Sequence, residues 1–194
     1  MTTQQPVRLL VLAGSYRSGS FNQALIKAAV ELAPDNVEIS EFDLRTVPFY
    51  DGDLEEAGLP QPVADLKAAV VAADAVLWVT PEYNAGVPAV LKNGLDWSSR
   101  VYPNAPLGGK LAAVIGATPG KSGTSNAQES LRKSLSIAGS ELIPAELMLA
   151  RAGDAIEDDV VTSSAVKDDI RAVLDAIVTA VAAAQNDVGE PSES

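Results

Sequence analysis

Five times along this chain a short apolar run is followed by a longer segment whose apolar residues recur every three or four positions. That alternation constrains the fold more than any other feature, because short continuous apolar runs suit buried strands and the longer period suits amphipathic helices. Val7 to Leu12 is the first strand, and Phe21, Ala24, Leu25, Ala28, Ala29 and Leu32 then fall on one helical face. Val37 to Phe42 is the second strand, followed beyond a proline-rich loop by the helical stripe Val63, Leu66, Val70 and Ala73. Ala75 to Thr80 is the third, with Pro88 placed to open the next helix. Leu111 to Gly116 is the fourth, with Ala127, Leu131 and Leu135 on the helix after it. The fifth strand, Leu142 to Leu149, contains Pro144, which has no N–H for a ladder and predicts a sheet edge or a bulge. A last helix carries Ile170, Val173, Leu174, Ile177, Val178 and Val181 on one face and Lys167, Asp168, Asp169 and Arg171 off it.

Strands apolar on both faces need helices on both sides, so the expected architecture is α/β: a doubly wound five-stranded parallel sheet joined by right-handed crossovers. Residues 1–185 are expected to form one domain, and Asn186 to Ser194 a polar, disordered tail. In such sheets ligands bind beyond the carboxyl ends of the strands, where strand order reverses. The loops after the first, third and fourth strands are therefore the places to look for function.

Composition narrows the chemistry. The chain has no cysteine and no histidine, which removes thiol nucleophiles, Ser-His-Asp triads, imidazole acid/base catalysis and zinc sites of the usual ligands. A formal charge of −12 without a basic cluster argues against nucleic acid and anionic membrane surfaces as partners. The apolar stretches Ala68 to Ala73 and Ala180 to Ala184 fall well short of the roughly 20 residues of a spanning helix. Leu9 to Ala13, behind a single Arg8, is too short for a signal-peptide core, so a cytoplasmic location is expected.

Gly14-Ser15-Tyr16-Arg17-Ser18-Gly19-Ser20-Phe21-Asn22 joins the first strand to a helix N-terminus. Backbone amides at a helix start, hydroxyls, an amide side chain and one guanidinium suit a single phosphate. The alternative is an ordinary turn capped by Ser20. A Walker A loop fails, because Ser20 stands where its lysine is required. After the third strand, Pro81 and Pro88 bracket Glu82-Tyr83-Asn84-Ala85-Gly86-Val87, a rigid segment with an aromatic ring and backbone donors that suits a planar heterocycle or simply starts the next helix. Gly116 to Gly123 is also glycine-rich, but three residues separate Gly116 from Gly120-Lys121-Ser122 where a Walker A motif needs four. Lys121 reads as a solubilising charge.

Gly14-Ser15-x-Arg17-x-x-Ser20-x-Asn22, then Pro81-Glu82-Tyr83-Asn84, then Leu91-Lys92-Asn93-Gly94-Leu95-Asp96-Trp97 together resemble the NAD(P)H-dependent FMN reductase family, which includes bacterial quinone and chromate reductases. The resemblance implies a flavodoxin-like fold and bound FMN. It implies that Ser15, Arg17, Ser20 and Asn22 hold the FMN phosphate with Phe21 in the same turn. Pro81, Glu82, Tyr83 and Asn84 would border the isoalloxazine ring, with Glu82 and Tyr83 also near subunit contacts. Thr118 and Gly120 would be flavin neighbours. The family usually carries Ala at the position of Gly94, so Asn93-Gly94 is expected inside a locally weakened helix rather than in a turn. Asn126, where relatives often have Arg, leaves the subunit contacts open.

The function so implied is hydride transfer from NAD(P)H through FMN to quinones, or to free flavin, chromate or other electrophiles, in a ping-pong cycle by a homodimer or homotetramer. The cofactor carries the chemistry, so no side chain is assigned as catalytic, Glu82 being only a weak candidate. Two rivals remain at this point: a flavodoxin-like electron carrier that does not react with nicotinamide, and a cofactor-free binding protein on the same fold.

Overall fold

The computed structural model describes residues 5–101 and 104–187. Strands β1 (Val7–Ala13), β2 (Val37–Phe42), β3 (Ala75–Val79), β4 (Leu111–Ala117) and β5 (Glu141–Leu149) form one parallel sheet in the order β2-β1-β3-β4-β5. Helices α1 (Phe21–Leu32) and α6 (Ser164–Asp187) cover one face, and α3 (Gln61–Ala72), α4 (Ala89–Ser98) and α5 (Ser125–Ile137) cover the other. Alternation of side chains across the pleat divides each strand between two cores. Leu9, Val11, Leu77 and Ile115 pack with α1 and α6, and Leu10, Leu12, Trp78 and Val114 with the other three helices. Every residue of the central strand β3 is buried, whereas the outer strand β2 is half open.

β5 is the other outer strand, and Pro144 sits both at that edge and in an irregularity. Ala112 pairs with Leu142, yet Val114 pairs with Glu146, so β5 carries extra residues around the proline. Arg132 of α5 serves the carbonyls there, donating from Nη2 to Val114 and Ala145 at 2.9 Å each.

α4 runs unbroken through Asn93 and Gly94. The buried Asn93 side chain accepts from the Tyr50 N–H at 2.8 Å and donates to the Pro48 carbonyl at 2.9 Å, to which Trp97 Nε1 also donates at 2.8 Å. A Cβ on Gly94 would lie 2.8 Å from Leu44 Cδ2. Gly94 therefore makes room for Leu44, which starts a short 3-10 turn, Leu44–Thr46. Helix α4 clasps the segment 47–50 through this motif.

Two elements have no counterpart in the sequence reading. The proline-rich loop contains a one-and-a-half-turn helix, α2 (Gly52–Ala57), capped by Asp51. After β5 comes a small antiparallel hairpin of β6 (Ile156–Glu157) and β7 (Val160–Val161), turning through Asp158 and Asp159 at φ 47° and 63°. β7 packs on α1, which sets the hairpin tip beside the first loop. The expected tail from Asn186 is corrected at its start, since α6 continues to Asp187; its remainder, 188–194, lies outside the described residues. Among the described residues no helix is long and apolar enough to cross a membrane.

Candidate functional site

The chain leaves β1 for the edge strand β2 and crosses back over β1 to β3, so strand order reverses between β1 and β3. The loops after β1, β3 and β4 meet there. Glycines allow them to meet: a Cβ on Gly14 would lie 2.9 Å from Pro81 Cδ, and one on Gly116 would lie 2.0 Å from the Thr80 carbonyl oxygen.

In the first loop the Tyr16 hydroxyl donates to the Phe42 carbonyl at 3.2 Å and accepts from the Leu44 N–H at 3.0 Å, which ties the loop to the end of β2. Burial pushes the Tyr16 hydroxyl pKa up to about 12; the bond from Leu44 and the charge of Arg45 oppose the rise, and the carboxylates of Asp43 and Glu41 add to it. Gly19, at φ 65°, turns the chain into α1, whose first turn is capped by Ser20 accepting from the Gln23 N–H at 3.4 Å. Ser15 is buried, and its carbonyl accepts from Gln23 Nε2 at 3.1 Å.

Arg17 is exposed. Its Nη1 donates to the Ser18 carbonyl at 3.0 Å, and its guanidinium carbon lies 5.8 Å from the Phe21 ring centroid. Among the described residues it forms no ion pair. Asn22 is placed differently. It is 3% exposed, its Oδ1 accepts from the Ala117 N–H and its Nδ2 donates to the Ala117 carbonyl, each at 2.9 Å. Both of its polar atoms therefore join α1 to the end of β4, which leaves one amide N–H for a ligand.

In the second loop, Tyr83 and Gly86 exchange backbone hydrogen bonds of 3.2 and 3.0 Å around Asn84 and Ala85, both at positive φ, 51° and 57°. The Tyr83 hydroxyl reaches across to donate to Ser15 Oγ at 3.4 Å. Glu82 directs its carboxylate to the start of α5, accepting from Asn126 Nδ2 at 3.1 Å and from the Ala127 N–H at 3.0 Å. In the third loop Thr118 is held by the Leu149 carbonyl and the Ala152 N–H at 3.0 Å each.

These loops enclose a cavity of about 220 Å³. Ser15, Arg17, Ser20, Phe21 and Asn22 line it from the first loop, Pro81, Glu82 and Tyr83 from the second, and Ala117, Thr118 and Pro119 from the third. Asn84 and Gly120 stand off its walls: Asn84 is exposed at the tip of its turn, and the Gly120 carbonyl faces the Arg151 N–H at 2.8 Å. Sequence reasoning did not single out Tyr16 or Gln23, which brace the loop, because neither residue type signals an anion site. Nor did it single out Asp159, which lines a second cavity of about 480 Å³ on the far side of Arg17 to Ser20. The first cavity is smaller than the 300 Å³ or so at which pockets begin to enclose a whole organic ligand, so its size suits one end of a larger guest. The donors around it, a guanidinium with no ion pair among the described residues, two serine hydroxyls and the amides opening α1, fit a phosphate monoester at that end.

Residues 7–154, from the first strand past the last strand of the sheet, match the NADPH-dependent FMN reductase family. The chain is 42% identical over 129 residues to an NAD(P)H-dependent FMN reductase of Pseudomonas aeruginosa, covering 66% of this chain and 69% of that protein. It is 40% identical over 126 residues to a 2-hydroxy-1,4-benzoquinone reductase of a Burkholderia species, covering 65% and 68%. Its fold is similar to that of a flavoenzyme NAD(P)H:(acceptor) oxidoreductase, FerB, of Paracoccus denitrificans, with a TM-score of 0.82 and 33% identity over 90% of this chain and 97% of the other. With the flavodoxin-like strand order, the arginine- and serine-lined cavity and the match over its three loops in hand, the chain belongs to the NADPH-dependent FMN reductase family.

Proposed function

We propose that this oxidoreductase passes reducing equivalents from NAD(P)H to a quinone or similar small-molecule acceptor by a ping-pong cycle on bound FMN. The observation that carries the reading is the Arg17 guanidinium, without an ion-pair partner among the described residues, at a serine-lined cavity also walled by the Pro81-Glu82-Tyr83 segment. When bound, FMN supplies the redox chemistry itself, accepting hydride from the nicotinamide and returning electrons to the acceptor.

The chain's own residues then bind, orient and shield. Arg17, Ser15, Ser20 and the first amides of α1 hold the phosphate, and Asn22 braces that loop against β4 while offering its remaining N–H. Pro81, Tyr83 and the backbone of Glu82 and Asn84 border the ring, with Thr118 and Gly120 on the side of the third loop. With both carboxylate oxygens engaged at α5, Glu82 needs no part in proton transfer. Bound FMN and solvent would supply the proton chemistry, so the chain would need neither histidine nor cysteine.

Donor and acceptor take turns at the one flavin in this reading, and the quinone class rests on the relatives' names. We place the protein in the cytoplasm as a homodimer or homotetramer, with the exposed Phe49, Leu54 and Val101 near α2 and the end of α4 as apolar surface for a second copy. Anaerobic addition of NADPH or NADH to FMN-loaded protein tests the reading by visible absorption. Bleaching by the nucleotide, and recovery on adding a benzoquinone, are expected. Flavin that binds but does not bleach would mean an electron carrier, and failure to bind FMN would end the flavin reading.

A further inference from the structure

Glu82 lines the cavity and ties the second loop to the start of α5. Glu82 Oε2 accepts from the Ala127 N–H at 3.0 Å, and Oε1 accepts from Asn126 Nδ2 at 3.1 Å. Ala127 belongs to the first turn of α5, where backbone donors have no partner within their own helix. Thr124, at the N-cap position, makes no side-chain cap; its hydroxyl accepts from Gln128 Nε2 at 2.8 Å instead. α5 therefore takes its cap from the second loop, and a carboxylate suits the positive end of a helix.

The tie acts on a turn that needs support. Asn84 and Ala85 both lie at positive φ, a conformation that side-chain-bearing residues other than Asn and Asp rarely adopt and that persists where the surroundings hold it. Within the turn only the Tyr83 and Gly86 backbone pair closes it. Glu82 anchors its stem to the third loop's helix, so the two walls of the cleft keep a fixed separation. We propose that Glu82 is a positioning residue: its carboxylate, seated on the N-terminus of α5, fixes the Tyr83 to Gly86 turn against the flavin ring. This rests on the flavin reading above.

The test compares FMN affinity, the visible band of bound FMN and apoprotein Tm for Glu82→Ala and Glu82→Gln. Asp51→Ala is the control, since it removes a cap from α2, away from the cleft. Glu82→Ala is expected to weaken FMN binding about tenfold, the scale of a lost cap, and to move the flavin band toward that of free FMN. Glu82→Gln, which keeps an acceptor for the Ala127 N–H, is expected to restore affinity to within about threefold of the native protein. Asp51→Ala should lower Tm and leave affinity and band unchanged. If Glu82→Ala also lowers Tm alone, the carboxylate is only a helix cap and the proposal is overturned. Should Glu82→Ala not fold, Glu82→Asp withdraws the carboxylate from α5 with its charge kept, and native FMN affinity in that variant would overturn the proposal equally. Failure of the native protein to bind FMN would instead strike at the flavin reading.

Discussion

Asn22 and Ala117, 95 residues apart in the chain, exchange a pair of 2.9 Å hydrogen bonds through the Asn22 side chain and the Ala117 backbone. The pair fastens the start of α1 to the end of β4 at the wall of the cavity, with Asn22 itself 3% exposed. Asn22→Ala removes both bonds to Ala117 and should cost about 1 to 3 kcal/mol of apoprotein stability. Urea unfolding without flavin measures it, and a loss under about 0.5 kcal/mol would remove Asn22 from this bracing role.

Arg17→Ala acts on binding and hardly on folding, because the side chain is exposed and makes no ion pair among the described residues. FMN affinity should fall by the roughly 1.5 to 3 kcal/mol of a charge-assisted contact. Riboflavin, which lacks the phosphate, should bind the variant and the native protein alike. Equal losses for both ligands would take Arg17 off the phosphate.

Gly116→Ala puts a methyl group where the Thr80 carbonyl oxygen lies 2.0 Å away. Backbone must move at the carboxyl ends of β3 and β4, at a cost of about 3 kcal/mol, the upper range for overpacking. Gly120→Ala, with only Thr118 side-chain atoms at 3.6 Å or more, should be nearly silent. Thermal unfolding of the two variants side by side checks the contrast.

Tyr16 should remain un-ionised until close to pH 12. An unfolded tyrosine ionises near pH 10, so the contribution of this phenol to stability is full below about pH 10 and is lost as pH rises through about 12. Tyr16→Phe should cost about 1 kcal/mol at neutral pH, and the gap from the native protein should close over that alkaline range. Ultraviolet titration of the two proteins locates the step; a Tyr16 ionisation near pH 10 would contradict the burial.

Periodicity made the sheet legible. Each of the five strands is long enough to show an apolar run, and each covering helix long enough to show a stripe, so the doubly wound five-stranded parallel sheet followed from local pattern and the crossover rule, while the order β2-β1-β3-β4-β5 is read from the tertiary structure. α2 and the β6 and β7 hairpin were not legible, since segments of six and two residues display no period. Pro144 announced an edge or a bulge, and the chain uses it for both.

At the site, residue types and spacing alone pointed to an anion loop after β1 and a rigid aromatic loop after β3, because glycine, proline, serine and arginine carry their conformational and electrostatic properties wherever they stand. Tertiary structure alone decided which atoms of those residues are free. It turned the Asn22 amide onto Ala117 and the Glu82 carboxylate onto α5, left Arg17 without an ion pair among the described residues, and set Asn84 and Gly120 off the cavity. Those outcomes depend on donors and acceptors dozens of residues away in the chain, and a hydrogen bond is settled by the distance between two atoms in space, which the order of residues does not contain.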